Sequence, residues 1–182
     1  MTICVTANLT AVMNAASNLC PRRCQAGKSV RACATDGANR RLELFADWSQ
    51  MFMAAPNEIT EGDQAFYQRA GGDPKIWYGH AYYDLKPGEA WVIEARPPEC
   101  FMWNFQYDNW WMESLDHVHQ KVWINSFQAR YEPDGSVILV CAEKDPGWGN
   151  WIDIAGHYQG TALWRWIGAS EHPVPQCRVV QL

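Results

Sequence analysis

The stretch Cys100-Phe-Met-Trp-Asn-Phe-Gln-Tyr-Asp108 decides the fold of this chain. Side chains of an extended strand alternate between its two faces, so every second residue of the stretch lies on the same side. One side is wholly aromatic, with Phe101, Trp103, Phe105 and Tyr107. The pattern therefore predicts a strand with its aromatic side in a core and its other side polar.

The polar side of this strand has two interpretations. Asn104 and Gln106 occupy neighbouring positions on it, and their amides can hydrogen-bond a polar ligand while nearby tryptophans stack on a sugar or another flat group. A solvated outer face produces the same alternation and needs no ligand. The pattern alone leaves both interpretations open.

Similar runs of β-branched and aromatic residues lie on both sides of this stretch, separated by turns rich in proline, glycine and aspartate. The predicted strands are Trp77 to Tyr83, Glu89 to Arg96, Cys100 to Tyr107, Val118 to Asn125, Phe127 to Tyr131, Val137 to Ala142, Thr161 to Ile167 and Arg178 to Leu182. Many short strands with regular turns favour a mainly β fold, an antiparallel two-sheet sandwich.

One or two helices precede the strands. Apolar residues recur at intervals of three and four from Arg41 to Ala55, which predicts an amphipathic helix that Pro56 ends. Thr60-Glu61-Gly62-Asp63 is a loose capping box and predicts a short second helix that reaches Arg69.

Composition divides the chain of 182 residues into two parts. All 24 aromatic residues follow position 44, and residues 1–41 carry six Lys or Arg against one acid, whereas the rest carries nine against 19. We therefore expect a basic leader over residues 1–41, which is disordered, a targeting peptide or the remnant of a truncation, and a soluble globular domain over residues 42–182. The leader's composition is that of an organelle transit peptide, so organelle targeting stays open.

Several functional classes are disfavoured by composition. An acidic body argues against nucleic-acid binding, and no apolar stretch is long enough to span a membrane. The seven cysteines form no even framework of the secreted type, which favours a reducing cytoplasm. We expect no metal or other cofactor. Cys20 and Cys24 lack a second pair, and His117 and His119 would need His157 or His80 as a third ligand, since Lys121 and Val122 stand where a cupin-type site has Glu.

The segment Asp145-Pro-Gly-Trp-Gly-Asn-Trp-Ile-Asp-Ile-Ala-Gly-His157 combines three glycines with an amide, a carboxylate and an imidazole. Asp153 can orient His157 as a general base, which makes the two the candidate catalytic residues. The segment holds no convincing nucleophile, and Asp153 can equally bond the backbone amides of a tight loop.

Dense collinear motifs resemble one known family. The run Arg96-Pro-Pro-Glu-Cys-Phe-Met-Trp-Asn-Phe-Gln106 is followed by Asn109-Trp-Trp-Met-Glu-Ser-Leu-Asp116, by the segment 145–157 and by Arg165-Trp166. Over residues 42–182 the chain resembles the domain of unknown function 1214 (DUF-1214) family. The resemblance implies a jelly-roll-like β-sandwich with flanking helices, and an N-terminal half that is missing here. One departure is Ile154, where the family pattern has Thr.

The resemblance also identifies positions to follow. The expected ligand-binding residues are Trp103, Asn104, Gln106, Asn109, Asp116, Asn150, Trp151 and Arg165, and Ser114 belongs to the same motifs. No agreed reaction comes with the family.

Three functions are consistent with these observations. The first is a module that binds a small polar or carbohydrate-like ligand in an aromatic and amide-lined cleft. The second is a hydrolase- or lyase-type enzyme in which Asp153 and His157 act as a pair and Arg165 clamps an anion. The third is a structural or assembly module whose aromatic surface is covered by a second copy or by the missing half.

Overall fold

The computed structural model describes residues 43–182. The predicted leader, with Cys20 and Cys24, lies outside the described residues, as does residue 42 of the predicted domain. Helix α1 includes residues 43–52, and helix α2 is Gln64–Arg69. The strands are β1 Ile76–Asp84, β2 Glu89–Ala95, β3 Met102–Asp108, β4 Trp123–Asn125, β5 Val137–Ala142, β6 Asn150–Asp153, β7 Gln159–Ile167 and β8 Gln176–Gln181. Neither described helix is long and apolar enough to cross a membrane.

The eight strands form two four-stranded sheets. Sheet A has the order β1-β7-β3-β4, and sheet B has the order β6-β5-β2-β8. All neighbouring strands are antiparallel except β5 and β6, which run parallel. The predicted mainly β, sandwich-like fold with short helices is thereby confirmed, and the parallel pair is the one difference from an all-antiparallel arrangement.

Tryptophans fill the space between the sheets. Trp103 of β3 and Trp164 of β7 stack with ring centroids 4.9 Å apart, and Trp166 meets both rings edge-on. Sheet B contributes Trp91 and Leu139 to the same core. Full burial of such side chains contributes about 1.5–3 kcal/mol each relative to an exposed position, so this layer dominates the stability of the sandwich. Phe101 lies outside it, because the strand begins one residue later.

Two predicted strands are shorter or absent in the structure. The run 118–125 keeps only β4, because the Asp116 carboxylate accepts hydrogen bonds from the backbone of Val118 and His119 and folds residues 117–119 into a turn. The run 127–131 is also a turn and loop, which Asn125 starts by accepting from the Phe127 amide. Strand β6 was not predicted, since its residues lie in a segment rich in glycine and polar residues.

The helices lie against β1 of sheet A. Gln64 of α2 exchanges two hydrogen bonds with the backbone of Tyr78, and the Thr60 and His80 backbones pair. The N-cap of α2 is Asp63, whose carboxylate accepts from the Phe66 amide, so the N-cap lies three residues after the Thr60 of the predicted box. The helices thereby cover the outer side of sheet A at β1.

A tyrosine crosses over β7 and fixes the end of β3. Tyr83 of β1 lies opposite Gly160 of β7, and its hydroxyl donates to the Asp108 carbonyl of β3 at 2.7 Å. The crossing requires glycine, because a Cβ at position 160 would lie 2.2 Å from the Tyr83 hydroxyl and 2.5 Å from the Asp108 carbonyl oxygen. The last residue of β3 is therefore held by its neighbour β7 and by β1, the strand beyond β7.

We expect Gly160→Ala to lower the free energy of unfolding by more than about 2 kcal/mol, since neither backbone nor ring can yield cheaply. Gly135→Ala is the matched control, because Gly135 has a positive φ of 82° but open space around it. In Gly135→Ala, the backbone strain of a positive φ alone should lower the free energy of unfolding by about 1–2 kcal/mol. Urea denaturation of both variants measures the difference, and equal losses would show that the crossing is not tightly packed.

Candidate functional site

The outer side of sheet A carries polar residues where its inner side carries tryptophans. Arg165 of β7 lies between Trp164 and Trp166 in sequence and points to the opposite side. Its partners in the neighbouring strands are Asn104 of β3 and Tyr78 of β1. Six of the outward residues of these three strands are polar or ionisable and lie near Arg165, and we name them the polar face: Tyr78, His80, Asn104, Gln106, Asp108 and Arg165.

Arg165 provides a buried positive charge on the polar face. Its side chain is 4% exposed, and Nη1 donates to Asn104 Oδ1 and Gln106 Oε1, each at 3.4 Å. Burial lowers the pKa of Arg165 to about 10, against the charges of Asp108 and Tyr78, which raise it. The guanidinium therefore stays cationic at neutral pH.

Asp108 is the titratable acid of the polar face. It is 3% exposed, and Gln106 Nε2 donates to its Oδ1 at 2.6 Å. Burial raises the pKa of Asp108 to about 7, while the Gln106 hydrogen bond and the Arg165 charge act in the opposite direction. Both protonation states of this carboxyl are consequently populated near neutral pH.

His80 is enclosed by the helices. Its ring stacks on Phe52 of α1 with centroids 4.6 Å apart and lies 4.5 Å from the Tyr67 ring of α2. Burial, followed by the Arg165 charge, lowers the pKa of His80 to about 3. The imidazole is therefore neutral, and its Nδ1 has no hydrogen-bond partner among the described residues.

The polar face is closed beside β1 and more open beside β3. Helices α1 and α2 cover His80, whereas Asn104 and Gln106 are only half-buried. The face combines a fixed cation, amides that donate and accept, and an acid that exchanges its proton near neutrality. Such a set can hold an anionic group and the hydroxyls next to it.

The structure thus brings three of the expected ligand-binding residues together: Asn104, Gln106 and Arg165. Trp103 lies between the sheets with its Nε1 donating to the Tyr131 hydroxyl, so its ring packs in the core. Asn109 accepts from two backbone amides of the following turn and donates to Glu113. Ser114 lies next to the polar face, where its hydroxyl accepts from Gln106 at 3.4 Å.

The Asp116 carboxylate also bonds backbone amides and does not point into a cleft with the other expected ligand-binding residues. Besides the two amides of its turn, its carboxylate contacts His119 Nδ1 at 2.9 Å, and all of these groups are exposed. His117 and His119 therefore lie in a turn and not on one side of a strand. Among residues 43–182, no three His, Cys, Asp or Glu side chains lie close enough to hold a metal ion.

The predicted catalytic pair lies away from the polar face, in the loop after β6. Asp153 Oδ1 accepts from the Ala155 amide at 2.8 Å, and the His157 amide donates to the Ile154 carbonyl. No side-chain hydrogen bond joins Asp153 to His157 among the described residues. Ile154, the departure from the family pattern, is fully buried in the core. This geometry matches the loop interpretation of the segment.

Asn150 and Trp151 begin the same strand β6 and lie on a different surface. The Asn150 amide donates to the carbonyls of Arg130 and Ile138 and accepts from the Arg130 amide. Trp151 Nε1 donates to the Ala142 carbonyl at 2.9 Å. These two residues organise the loops around β6, which belongs to sheet B, whereas the polar face belongs to sheet A.

Sequence reasoning did not single out Asp108 or Tyr78 as site residues and considered His80 only as a metal ligand. One signal was present, because Asp108 ends the alternating series that begins with Asn104 and Gln106. The position of β1 beside β7 had no such signal, since it depends on pairing between distant parts of the chain.

Comparison with known proteins supports the fold and leaves the function open. No protein-family model matches the chain, and a search of curated proteins finds no match. The crystal structure of an uncharacterised protein from Burkholderia cenocepacia is 44% identical, with a TM-score of 0.74 over 76% of this chain. The match covers 39% of that protein, so this chain spans about two fifths of its length. The VPA0106 protein of Vibrio parahaemolyticus is 14% identical over 92% of this chain and 52% of its own, with a TM-score of 0.49. The DUF-1214 resemblance stays a prediction.

Asp108 should make stability depend on pH in a way that one substitution removes. Its pKa is about 7 in the folded chain and 3.8 as the ordinary value, so between these limits the folded state binds more protons than the unfolded state. The free energy of unfolding therefore falls as pH rises from about 4 to 7, by up to roughly 1.4 kcal/mol per pH unit. Asp108→Asn keeps an acceptor for Gln106 and removes this loss.

We expect the stability of Asp108→Asn minus that of the wild type to increase by a few kcal/mol between pH 4 and 7 and then to level off. The lowered pKa of His80 gives the opposite slope, but it is present in both proteins and cancels in the difference. Urea titrations across this range measure the effect, with the exposed Asp84→Asn as control. A difference independent of pH would contradict the assignment.

Proposed function

We propose that this chain binds a small polar or carbohydrate-like ligand with an acid group on the polar face. The observation that carries the proposal is a buried guanidinium between two amide oxygens, with a carboxyl of near-neutral pKa on the same side of the sheet. Arg165 would pair with the acid group of the ligand, while Asn104 and Gln106 would bond its hydroxyls.

Energetics support a role beyond stability. Desolvating charged groups costs several kcal/mol each, and apolar side chains of similar volume usually serve a fold equally well or better. Aromatic residues of the helices already cover the outer side of sheet A at His80 of β1, so apolar residues would fit there. Strongly shifted pKa values clustered in one place are typical of functional sites.

Asp108 favours a second candidate, a hydrolase- or lyase-type enzyme on the same face. An acid that titrates near pH 7 is suited to general acid–base catalysis, and Arg165 can clamp an anionic substrate beside it. In this enzyme, Asp108 would be the general acid–base residue, the role that the sequence analysis assigned to His157 with Asp153.

Calorimetric titration with galacturonate, glucuronate and gluconate tests binding, with galactose and glucose as neutral counterparts. We expect at least one of the acids to bind and Arg165→Met to weaken it tenfold or more, as loss of one partner of a buried charged contact does. Arg178→Met, in the exposed outer row of β8, should leave the affinity unchanged. Asn104→Leu, at a half-buried position, provides a second variant if Arg165→Met fails to fold.

The proposal fails if none of the three acids binds at millimolar concentration, or if Arg165→Met and Arg178→Met act alike. Chromatography of an incubation with the bound acid then separates the two candidates. Consumption that Asp108→Asn abolishes and His157→Ala preserves would support the enzyme, whereas unchanged ligand would leave binding alone.

A further inference from the structure

A surface groove lies along the margin of the sandwich where β4 of sheet A meets β6 of sheet B. It consists of two depressions of about 380 and 320 Å³, and both are lined by Lys121 and Gln128, so they meet at these residues. The Asp153 amide donates to the Lys121 carbonyl at 2.8 Å and ties the two margins together. The groove is therefore a fixed feature of the fold.

Three tryptophans line the groove: Trp123, Trp148 and Trp151. Trp148 is 38% exposed, and the other two are half-buried, so each has ring surface available to a ligand. The hydrogen bond from Trp151 Nε1 to the Ala142 carbonyl fixes the orientation of that ring. Rings of this kind present large, rigid apolar surfaces with a polar edge, which suits stacking on sugar rings.

The loop that carries Trp148 is also fixed. Gly149 has a φ of 64°, and a Cβ there would lie 2.8 Å from Val140 Cγ2, so only glycine fits. Arg130 donates from Nη2 to the Gly149 carbonyl at 2.9 Å. A ligand would therefore meet a preformed surface, which reduces the entropy lost on binding.

The groove is cationic although the described part of the chain is acidic. Lys121 and Arg130 line it, and neither forms an ion pair with any residue between 43 and 182. Asn150 holds the Arg130 backbone through hydrogen bonds of 2.7 and 2.8 Å, so the position of this cation is set by β6. The acid in the lining is Asp145, whose Oδ1 accepts from the Gly147 amide.

We propose that this groove binds an acidic oligosaccharide, with sugar rings stacked on the tryptophans and carboxylates paired with Lys121 and Arg130. Gln128 and Asn150 flank the cations and supply amides at the same place. The groove shares no residue with the polar face, and binding there does not depend on the function proposed for that face. Trp123 is the direct cross-strand partner of Gln106 in the β3–β4 pairing, so the groove adjoins the polar face at this position.

A single-stranded nucleic acid is the other polyanion with flat rings. Such sites follow the phosphate backbone with clusters of Lys and Arg, whereas this groove has two cations and the Asp145 carboxylate. The acidic body of the protein would repel a continuous line of phosphates more strongly than the spaced carboxylates of a uronate chain.

Calorimetric titration with hexagalacturonate tests the proposal, with maltohexaose as the neutral probe and an eight-residue deoxythymidine oligonucleotide as the competing polyanion. We expect hexagalacturonate to bind at least tenfold more tightly than maltohexaose or the oligonucleotide. Its affinity should fall as the salt concentration rises, because salt screens the exposed charges. Equal affinity for maltohexaose, or preference for the oligonucleotide, would overturn the proposal.

Variants locate the binding. Trp148→Ala should weaken hexagalacturonate about three- to tenfold, the range expected for loss of one stacked ring. The double variant Lys121→Met/Arg130→Met should abolish the preference over maltohexaose. Trp111→Ala and Lys75→Met/Lys86→Met remove an exposed ring and two cations elsewhere on the surface and should have no effect. Equal losses in the controls would show that binding is not at the groove.

Discussion

The packing of Trp103 against Trp164 fixes how β3 and β7 pair, and the rest of the structure depends on that register. The stacked rings lie on the inner side of sheet A, where Phe105 is paired with Trp164. Because side chains alternate, the same register places Asn104 and Arg165 together on the outer side. A slip by one residue would turn the tryptophans to the outside and push the guanidinium between the sheets. The core therefore determines the chemistry of the opposite surface.

The polar face holds groups whose burial acts in opposite directions on their charge. Burial keeps His80 neutral by lowering its pKa, whereas it keeps Asp108 partly protonated by raising its pKa. Arg165 stays charged in the same environment. The net charge of the face therefore lies between zero and one positive unit near pH 7.

Local patterns predicted the elements whose hydrogen bonds stay within the sheet, and failed where side chains bond the backbone. The apolar run Val137–Ala142 is a strand at its predicted bounds. By contrast, the residues after Asp116 resemble a strand in composition, but its carboxylate captures their amides and forms a turn. Strand β6 was overlooked because its pairing partner, not its composition, makes it extended.

The candidate site could be predicted in part for a similar reason. Alternation alone placed Asn104 and Gln106 on one side, and motif resemblance added Arg165 to the same set. Closeness in sequence was a poor guide for Asp153 and His157, since the Asp153 carboxylate binds the Ala155 amide of a tight loop and His157 joins that loop through its backbone amide. Strand order decides which residues meet across a sheet, and no local pattern in β1 or β7 indicates that order.

The strand order also has a consequence for synthesis, because β1 pairs with β7 and β2 with β8. Neither sheet can be completed until the ribosome has synthesised the last quarter of the chain. The early strands therefore emerge from the ribosome with unpaired edges, and chaperones bind chains in such states.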